Sequence, residues 1–227
     1  MKLRALLFAL LALTASAAGA QRYYSPDFSL GVRAGATLSE MGWSPSVRQK
    51  FTPGMTVGLA ARYTEERYFG LIAELNLTQR GWAENYETAP QFSYKRQFTY
   101  LQLPVMTHIF FGSEKFRGFV NLGPSIGYML SDKISANFDY ANVSSVPGYP
   151  GNRHTEQLGM KVAHRFDYGI AGGVGAELRL RRKHSIMLEG RFYYGLANAF
   201  PASRGETFGA SRSMSIEATL AYLFRLK

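Results

Sequence analysis

The sequence predicts an all-β fold, an eight-stranded antiparallel up-and-down transmembrane β-barrel, from three observations. Apolar and polar residues alternate along many segments, most regularly over residues 212–227, and the side chains of a β-strand point alternately to opposite faces. Short and long connections alternate along the chain. Aromatic residues gather near both ends of the apolar faces, as they do at membrane interfaces.

The N-terminal segment has the features of an export signal. Residues 1–20 are predicted to be a secretory signal peptide, and residues 21–227 the outer-membrane β-barrel domain. Lys2 and Arg4 give a basic start, residues 5–13 are apolar, and the segment ends on small residues. No later segment has the roughly 18 consecutive apolar residues that a transmembrane helix requires. Cysteine is absent, which excludes a disulfide framework, a thiol nucleophile and a thiolate metal site.

Eight segments carry the alternation and are predicted strands. Their bounds are 27–39, 55–64, 69–78, 98–111, 116–130, 166–180, 186–196 and 212–227. Pro104 and Pro124 interrupt the fourth and fifth segments. Because proline lacks the N–H group that a ladder hydrogen bond requires, we expect a bulge or a local irregularity at each of them.

The connections between these strands differ in length in a regular way. Three are tight turns, at 65–67, 112–114 and 181–183, and four are long, at about 40–50, 81–96, 131–165 and 198–211. Consecutive connections of an up-and-down barrel lie at opposite ends of the barrel. One end therefore has only short turns, as the periplasmic end of an outer-membrane barrel does, and the other end has long outer loops.

A water-soluble up-and-down barrel such as a lipocalin has the same alternation, but its apolar face points inward. Here the polar face is rich in Gly, Ala and Ser and carries no lysine within the strands, which suits a narrow lumen. The apolar face is therefore predicted to contact outer-membrane lipid through two aromatic girdles. The girdle at the tight-turn end comprises Tyr63, Phe69, Phe111, Phe116, Tyr222 and Phe224, and the other comprises Tyr128, Phe166, Tyr168, Phe192 and Tyr194.

The charged residues on the polar face are predicted to pair with one another inside the barrel. They are Arg33, Arg62, Glu74, Asp167, Glu177, Arg179, Glu189, Arg191 and Glu217. The interior of an eight-stranded barrel is just wide enough for side chains to fill, and buried charges are tolerated when they are paired. We therefore expect a lumen charge network that plugs the barrel. The alternative is a polar path for a small solute or a proton.

The sequence offers little for catalysis, and we expect no enzymatic activity and no cofactor or metal site. The four histidines are dispersed, and no serine lies in a Gly-x-Ser-x-Gly motif. Glu84 and Glu87 are interpreted as solvated loop charges rather than an acid–base pair. The glycines of residues 169–175 lie within a predicted strand and not before a helix, so they indicate a crowded lumen rather than a nucleotide-binding loop.

The lysines that follow the signal segment fall in predicted loops or turns or at the chain end. This scattered placement favours contact with anionic lipid head groups over a nucleic-acid partner, which the net charge of +10 alone would suggest. The longest loop combines aromatic, amide and basic residues, a composition that suits protein contact and is also ordinary for an exposed loop. These residues are Lys133, Asn137, Tyr140, Asn142, Tyr149, Asn152, Arg153 and Lys161.

Six short motifs are spread over the predicted strands: GVRAG at 31–35, PGM at 53–55, ELNLTQRG at 74–81, YLQLPV at 100–105, GPSIGY at 123–128 and GVGAE at 173–177. Together they resemble those of a known family, the PorT-like outer-membrane β-barrel proteins of Bacteroidetes. The resemblance covers essentially the whole chain after the signal segment. It implies the same barrel fold and no catalytic residues. PorT itself belongs to the type IX secretion and gliding apparatus.

The resemblance and the long loops favour an accessory or structural role in the cell envelope or in a type IX secretion apparatus. Secretion-system or envelope proteins and the barrel-assembly machinery are the expected partners. The alternative is a narrow barrel that handles a small solute or a lipid, and an outer-membrane enzyme is the least favoured reading. Barrel proteins often end on an aromatic residue that the assembly machinery reads, whereas Phe224 is followed here by three further residues.

Overall fold

The computed structural model describes residues 26–65, 68–180, 183–202 and 207–226. The predicted signal peptide, the centres of the first and third tight turns, part of the last loop and Lys227 lie outside the described residues. The described helices are a short 3-10 helix, Val143–Ser145, and an α-helix, Glu156–Gly159. Neither has the length and apolar character that a membrane-spanning helix requires.

Eight long strands form one closed antiparallel sheet, and the predicted barrel is confirmed. The described strands are β1 (Asp27–Ser44), β2 (Gln49–Lys50), β3 (Thr52–Thr64), β4 (Phe69–Glu84), β5 (Tyr94–Gly112), β6 (Phe116–Ala136), β7 (Phe166–Leu180), β8 (His184–Asn198) and β9 (Ala210–Arg225). The ring runs β1, β3, β4, β5, β6, β7, β8 and β9, and β9 closes it by pairing with β1. The two-residue β2 continues the pairing beside the outer end of β4.

The strands are tilted relative to the barrel axis, as the stagger of their pairing shows. A path that starts at Thr37, passes to its partner in β9 and follows paired residues around the ring returns to β1 at Asp27. Asp27 lies ten residues before Thr37. A closed sheet has such a stagger when its strands tilt. Residues that are far apart in the sequence therefore meet at one level of the lumen.

The apolar face of the barrel points outward and the charged face points inward. Val174 and Leu188 on the outside are 62% and 61% exposed, whereas Arg33 and Glu74 on the inside are 2% and 3% exposed. The inner face accommodates bulky charged groups because small residues lie between them. Gly173 is an example, because a Cβ atom there would collide with the Glu189 carboxylate.

Several strands are longer at the outer end than the sequence predicts. β1 continues to Ser44, β4 to Glu84 and β6 to Ala136, so the residues predicted as the starts of loops extend the barrel wall. These extensions bury apolar residues such as Trp43 and Trp82 on the inner face. In the rest of the barrel the inward residues are mostly polar and the outward residues are mostly apolar. This alternation is absent from the extensions, so the sequence does not predict strands there.

The two prolines disturb the sheet less than predicted. The pairing of β4 with β5 has a gap at residues 103–104 of β5, and the pairing of β5 with β6 has a gap at residues 105–106. Both gaps lie near Pro104 and the facing Pro124, but the register is the same on the two sides of each gap. The register shift between β5 and β6 lies instead between Thr99 and Tyr100. The pairing of Pro124 with Ile170 of β7 lies in an unbroken register.

Candidate functional site

The lumen is the candidate functional site, and its periplasmic end holds two groups of ion pairs. Asp27 of β1 contacts Arg225 of β9, and Arg179 of β7 lies 3.8 Å from the same carboxylate. Further inward, Arg62 of β3 donates to Glu177 of β7 at 2.8 Å. Both members of that pair are buried, so each charge depends on the other for its neutralisation.

The centre of the lumen is occupied by a charge network that reaches across the barrel. Arg191 of β8 forms two hydrogen bonds to Glu74 of β4, at 2.7 and 2.8 Å, and also donates to Glu189 at 2.7 Å. Arg33 of β1 donates to the same Glu74 carboxylate and lies 3.6 Å from Glu217 of β9. Glu74 is therefore held between two arginines from different strands.

Neutral side chains complete the hydrogen bonding of these carboxylates. The Asn76 amide donates to Glu74 at 2.9 Å, and the Asn121 amide donates to Glu189 at 2.9 Å. The His108 Nδ1 atom lies in turn 2.7 Å from the side-chain amide oxygen of Asn121. These three residues are not among the predicted network residues, although the two asparagines lie at inward positions of predicted strands, which was a usable signal.

A third level of the lumen lies toward the outer end and is built around Arg80. This guanidinium lies 3.4 Å from Asp167 of β7 and stacks over the ring of Tyr193 at 4.0 Å. The Tyr193 hydroxyl donates to the same carboxylate at 2.8 Å. Asp167 therefore pairs with an arginine that is not among the predicted network residues. Arg80 was not included because it lies two residues beyond the predicted end of its strand.

Small apolar clusters separate the charged levels. One contains Ile72, Met106, Ala171 and Tyr193, and another contains Ala60, Phe110, Phe119, Met187 and Leu223. All nine predicted network residues point inward, and the structure places them in four separate groups of ion pairs rather than in one continuous network.

The outer end of the lumen is closed by an aromatic cap. Trp43 of β1, Trp82 of β4 and Phe200 are buried, with ring centroids of Trp43 lying 5.3 Å from each of the other two. Arg96 of β5 supports the cap, because its guanidinium binds Asp132 of β6 at 2.8 Å and lies 4.9 Å from the Phe200 ring. The buried members of the cap are Met41, Trp43, Trp82, Tyr86, Tyr94, Phe98, Tyr100, Met129, Leu158, Ala199, Phe200 and Phe208.

The long loop between β6 and β7 folds over this cap. Arg153 of the loop binds Glu84 at 3.1 Å and donates to the Asn85 carbonyl oxygen at 2.5 Å, and the Gln157 amide donates to Glu84 at 3.0 Å. The Tyr94 hydroxyl donates to the Leu158 carbonyl oxygen at 2.8 Å. The prediction that Glu84 is a solvated loop charge is therefore wrong, because β4 extends to this residue and the loop buries it.

Two tyrosines that the sequence suggested as a contact surface also pack into the cap. The Tyr149 ring lies 5.3 Å from that of Phe92, and the Tyr140 ring lies 5.9 Å from that of Tyr94. Lys133, by contrast, is exposed on the outer extension of β6. The outer surface that is available to a partner is thus less aromatic than the loop composition suggests.

Burial raises the pKa of the Glu84 carboxyl, and the Gln157 amide and the Arg153 guanidinium oppose that shift. Replacing Arg153 with glutamine is expected to raise this pKa further and to loosen the loop by about 1–3 kcal/mol. The Glu84 carboxyl is buried when the loop is folded over the cap and is in water when the loop opens. Because burial raises its pKa, the protonated carboxyl favours the folded loop at low pH, and this contribution is lost as the pH rises through the pKa of the buried form. The loop of the variant should therefore exchange amide hydrogens faster than the wild-type loop at pH 8, and the difference between the two should be smaller at pH 5.

The matched control is Arg48→Gln, because Arg48 is an exposed arginine that lines the same outer-rim cavity as Arg153. That variant should leave exchange in the β6–β7 loop unchanged at both pH values. Equal exchange in the Arg153→Gln variant and in wild type at pH 8 would show that this ion pair does not hold the loop.

The predicted girdle residues lie on the outer face of the barrel. Phe111, Phe116 and Tyr63 are exposed near the short turns, and Tyr128, Phe166, Tyr168 and Phe192 are exposed toward the loops. Tyr194 and Phe224 are partly covered, because Arg212 donates to the Tyr194 hydroxyl at 3.2 Å and the His184 ring packs on Phe224 at 5.3 Å. Amphipathic side chains at these two levels suit the two membrane interfaces.

Two cavities open at the surface of the described part of the barrel, and Arg191 of the central level is among the lining residues of the second. One of about 390 Å³ lies at the outer rim between Arg48, Gln49 and Glu87. Another of about 530 Å³ lies on the lipid-facing wall beside Gly172 and Gly190. Among the described residues there is no group of three His, Cys, Asp or Glu side chains that could hold a metal ion.

Comparison with known families agrees with this architecture. Residues 16–201 match the family described as outer membrane protein beta-barrel domain. The chain belongs to this family. As a member of the outer membrane protein beta-barrel domain family, it is located in the outer membrane, where its apolar wall contacts lipid. The narrower relationship to PorT-like proteins is a proposal.

Solved structures of other barrels resemble this member of the family. The outer membrane protein OprG from Pseudomonas aeruginosa is 11% identical with a TM-score of 0.53, and the match covers 90% of this chain and 97% of OprG. Neisserial surface protein A is 13% identical with a TM-score of 0.47, covering 87% of this chain and 98% of that one. At these identities the likeness to OprG concerns the fold alone. No curated protein matches the chain.

Proposed function

We propose that this protein is a non-conducting outer-membrane barrel that acts through its ordered outer end, as an accessory or structural component of the cell envelope. The observation that carries the proposal is the filling of the lumen from the periplasmic ion pairs to the aromatic cap. Each level is occupied by side chains that bind one another across the barrel.

The central level is the strongest barrier to a solute. Arg33, Glu74 and Arg191 come from three strands and meet in the middle of the lumen. Opening a path there separates buried charges from their partners, which costs several kcal/mol for each ion that loses its partner. A solute that entered from the outside would also have to displace the cap, which Tyr94, Arg96 and Arg153 fasten to the long loop.

The outer end is the part of the molecule that is available to other proteins. The extended strands raise the loops beyond the lipid-facing band, and the aromatic cap gives them one ordered arrangement. A preorganised surface binds a partner at a lower entropic cost than a mobile loop does. The role that we propose is therefore binding or scaffolding, and it includes no enzymatic activity.

The finer form of the proposal is a part in a PorT-like, type IX secretion apparatus. Its support is the resemblance of the motifs at 74–81, 100–105 and 123–128 to that family. Deletion of the gene should then block secretion of type IX cargo, and a pull-down from detergent-solubilised envelopes should recover secretion components. Normal secretion after deletion would restrict the protein to a stand-alone envelope role.

Planar-bilayer recording tests the non-conducting barrel directly. The purified, refolded protein is expected to give no steady conductance steps, whereas an open porin recorded under the same conditions provides the positive control. Steady channels under mild conditions would contradict the filled lumen and would favour the alternative, a narrow barrel for a small solute or a lipid.

A further inference from the structure

Three lysines lie close together on the outward side of the barrel wall, at its outer end. Lys50 of β2 pairs with Ala83 of β4, and Ala83 pairs in turn with Lys95 of β5. Lys133 of β6 pairs with Gln97, two residues from Lys95. Paired residues share one face of a sheet and neighbouring strands are about 4.8 Å apart, so the three lysines lie on the same outward face of adjoining strands. We call Lys50, Lys95 and Lys133 the lysine patch.

The lysine patch lies on the outer side of the surface that contacts lipid. Leu101 of β5 and Tyr128 of β6 are exposed members of the apolar face. Continuing outward on the same face, β5 presents Thr99, Gln97 and then Lys95. The patch is therefore at the level where lipid head groups begin, and its cations face the membrane side of the wall rather than the lumen.

The lysines of the patch form no salt bridge with a carboxylate in the parts of the chain that the structure describes. Of the nearby acids, Asp132 binds Arg96 and Glu84 binds Arg153, and Glu40 and Glu87 line the outer-rim cavity beside Gln49. Lys95 makes one bond, to the Pro53 carbonyl oxygen at 3.3 Å, and its ammonium group has three donors.

We propose that the lysine patch is a binding site for the phosphate-bearing head group of an outer-leaflet lipid. The chemistry fits in two respects. Several ammonium groups without carboxylate partners attract a multiply charged anion. The apolar wall directly below, from Leu101 inward along β5, receives the acyl chains of the same lipid molecule. The site thus combines head-group and chain contacts and does not depend on the proposed envelope role.

The test uses the full folded protein in nanodiscs of phosphatidylcholine that contain diphosphoryl lipid A, with native mass spectrometry to count the lipid A retained. The variant carries Lys50→Gln, Lys95→Gln and Lys133→Gln. The matched control carries Lys115→Gln, Lys161→Gln and Lys183→Gln, which removes the same charge from other parts of the chain. Dephosphorylated lipid A serves as the comparison ligand.

Wild type and the control are expected to retain lipid A, and the patch variant to bind it about tenfold more weakly or worse. Added salt should weaken the wild-type binding, because exposed charges are screened. Dephosphorylated lipid A should bind all three proteins alike. Equal retention by the patch variant and wild type would overturn the proposal, and so would an equal loss in the control.

Discussion

Replacing Arg191 with leucine is expected to lower the free energy of unfolding by about 3–5 kcal/mol. The reason is that Arg191 binds both Glu74 and Glu189, so its removal leaves two buried carboxylates short of a cation. Glu177→Leu should also be destabilising, but less so, because Glu177 belongs to a single ion pair with Arg62. Urea titration of the barrel in lipid vesicles measures both effects.

Two further variants show whether unpaired charge is the cause. Arg165→Leu removes an exposed arginine near the start of β7 and should change stability by less than about 0.5 kcal/mol. The double variant Arg62→Leu with Glu177→Leu should be more stable than Glu177→Leu alone, because it leaves neither charge buried without its partner. Unchanged unfolding of both the Arg191 and the Glu177 variants would contradict the lumen charge network.

Replacing Trp82 with alanine is expected to destabilise the cap by about 3–5 kcal/mol, the usual cost of removing a large buried aromatic side chain. Trp82 is fully buried, and its ring lies within 5.9 Å of those of Trp43, Phe200 and Phe98. The cap should open before the barrel unfolds. The measurement is limited proteolysis of the β6–β7 loop, together with the fluorescence of the remaining Trp43.

The control for this prediction is Phe51→Ala, because Phe51 is an aromatic residue near the same end that is about half exposed. Its removal should change neither the proteolysis pattern nor the fluorescence of Trp43. If Trp82→Ala left the loop as resistant as in wild type, the cap would not be what holds the loop over the lumen.

The barrel and its orientation could be predicted because one physical rule governs them. Strand side chains alternate with a period of two, and the lipid-facing part of the barrel has apolar residues such as Leu188 and Leu220 at most outward positions. The inward placement of Arg33, Glu74 and Arg191 follows from the same parity. The identity of the ion pairs does not, because it depends on the stagger of the strands, which brings Arg62 to Glu177 from 115 positions away.

The aromatic cap could not be predicted because it reverses the rule. Beyond the lipid band the inward residues become apolar, as Trp82 and Phe98 show, and the outward residues become polar, as Gln97 shows. Where the two patterns meet, neither face is consistently apolar or polar, so the alternation in the sequence stops before the strands end. Arg80 and Arg96 were missed for this reason, since both lie beyond the predicted strand ends.

The central claim is that lipid surrounds the apolar face and that the interior holds paired charges and buried apolar groups. Methyl NOE spectroscopy in lipid nanodiscs measures this without any substitution. Cross-peaks to lipid acyl chains are expected from the outward methyl groups of Val174, Leu188 and Leu220, and none from the inward methyl groups of Met106 and Met187. Lipid cross-peaks from Met106 and Met187, with the outward methyl groups in contact with water, would contradict the account.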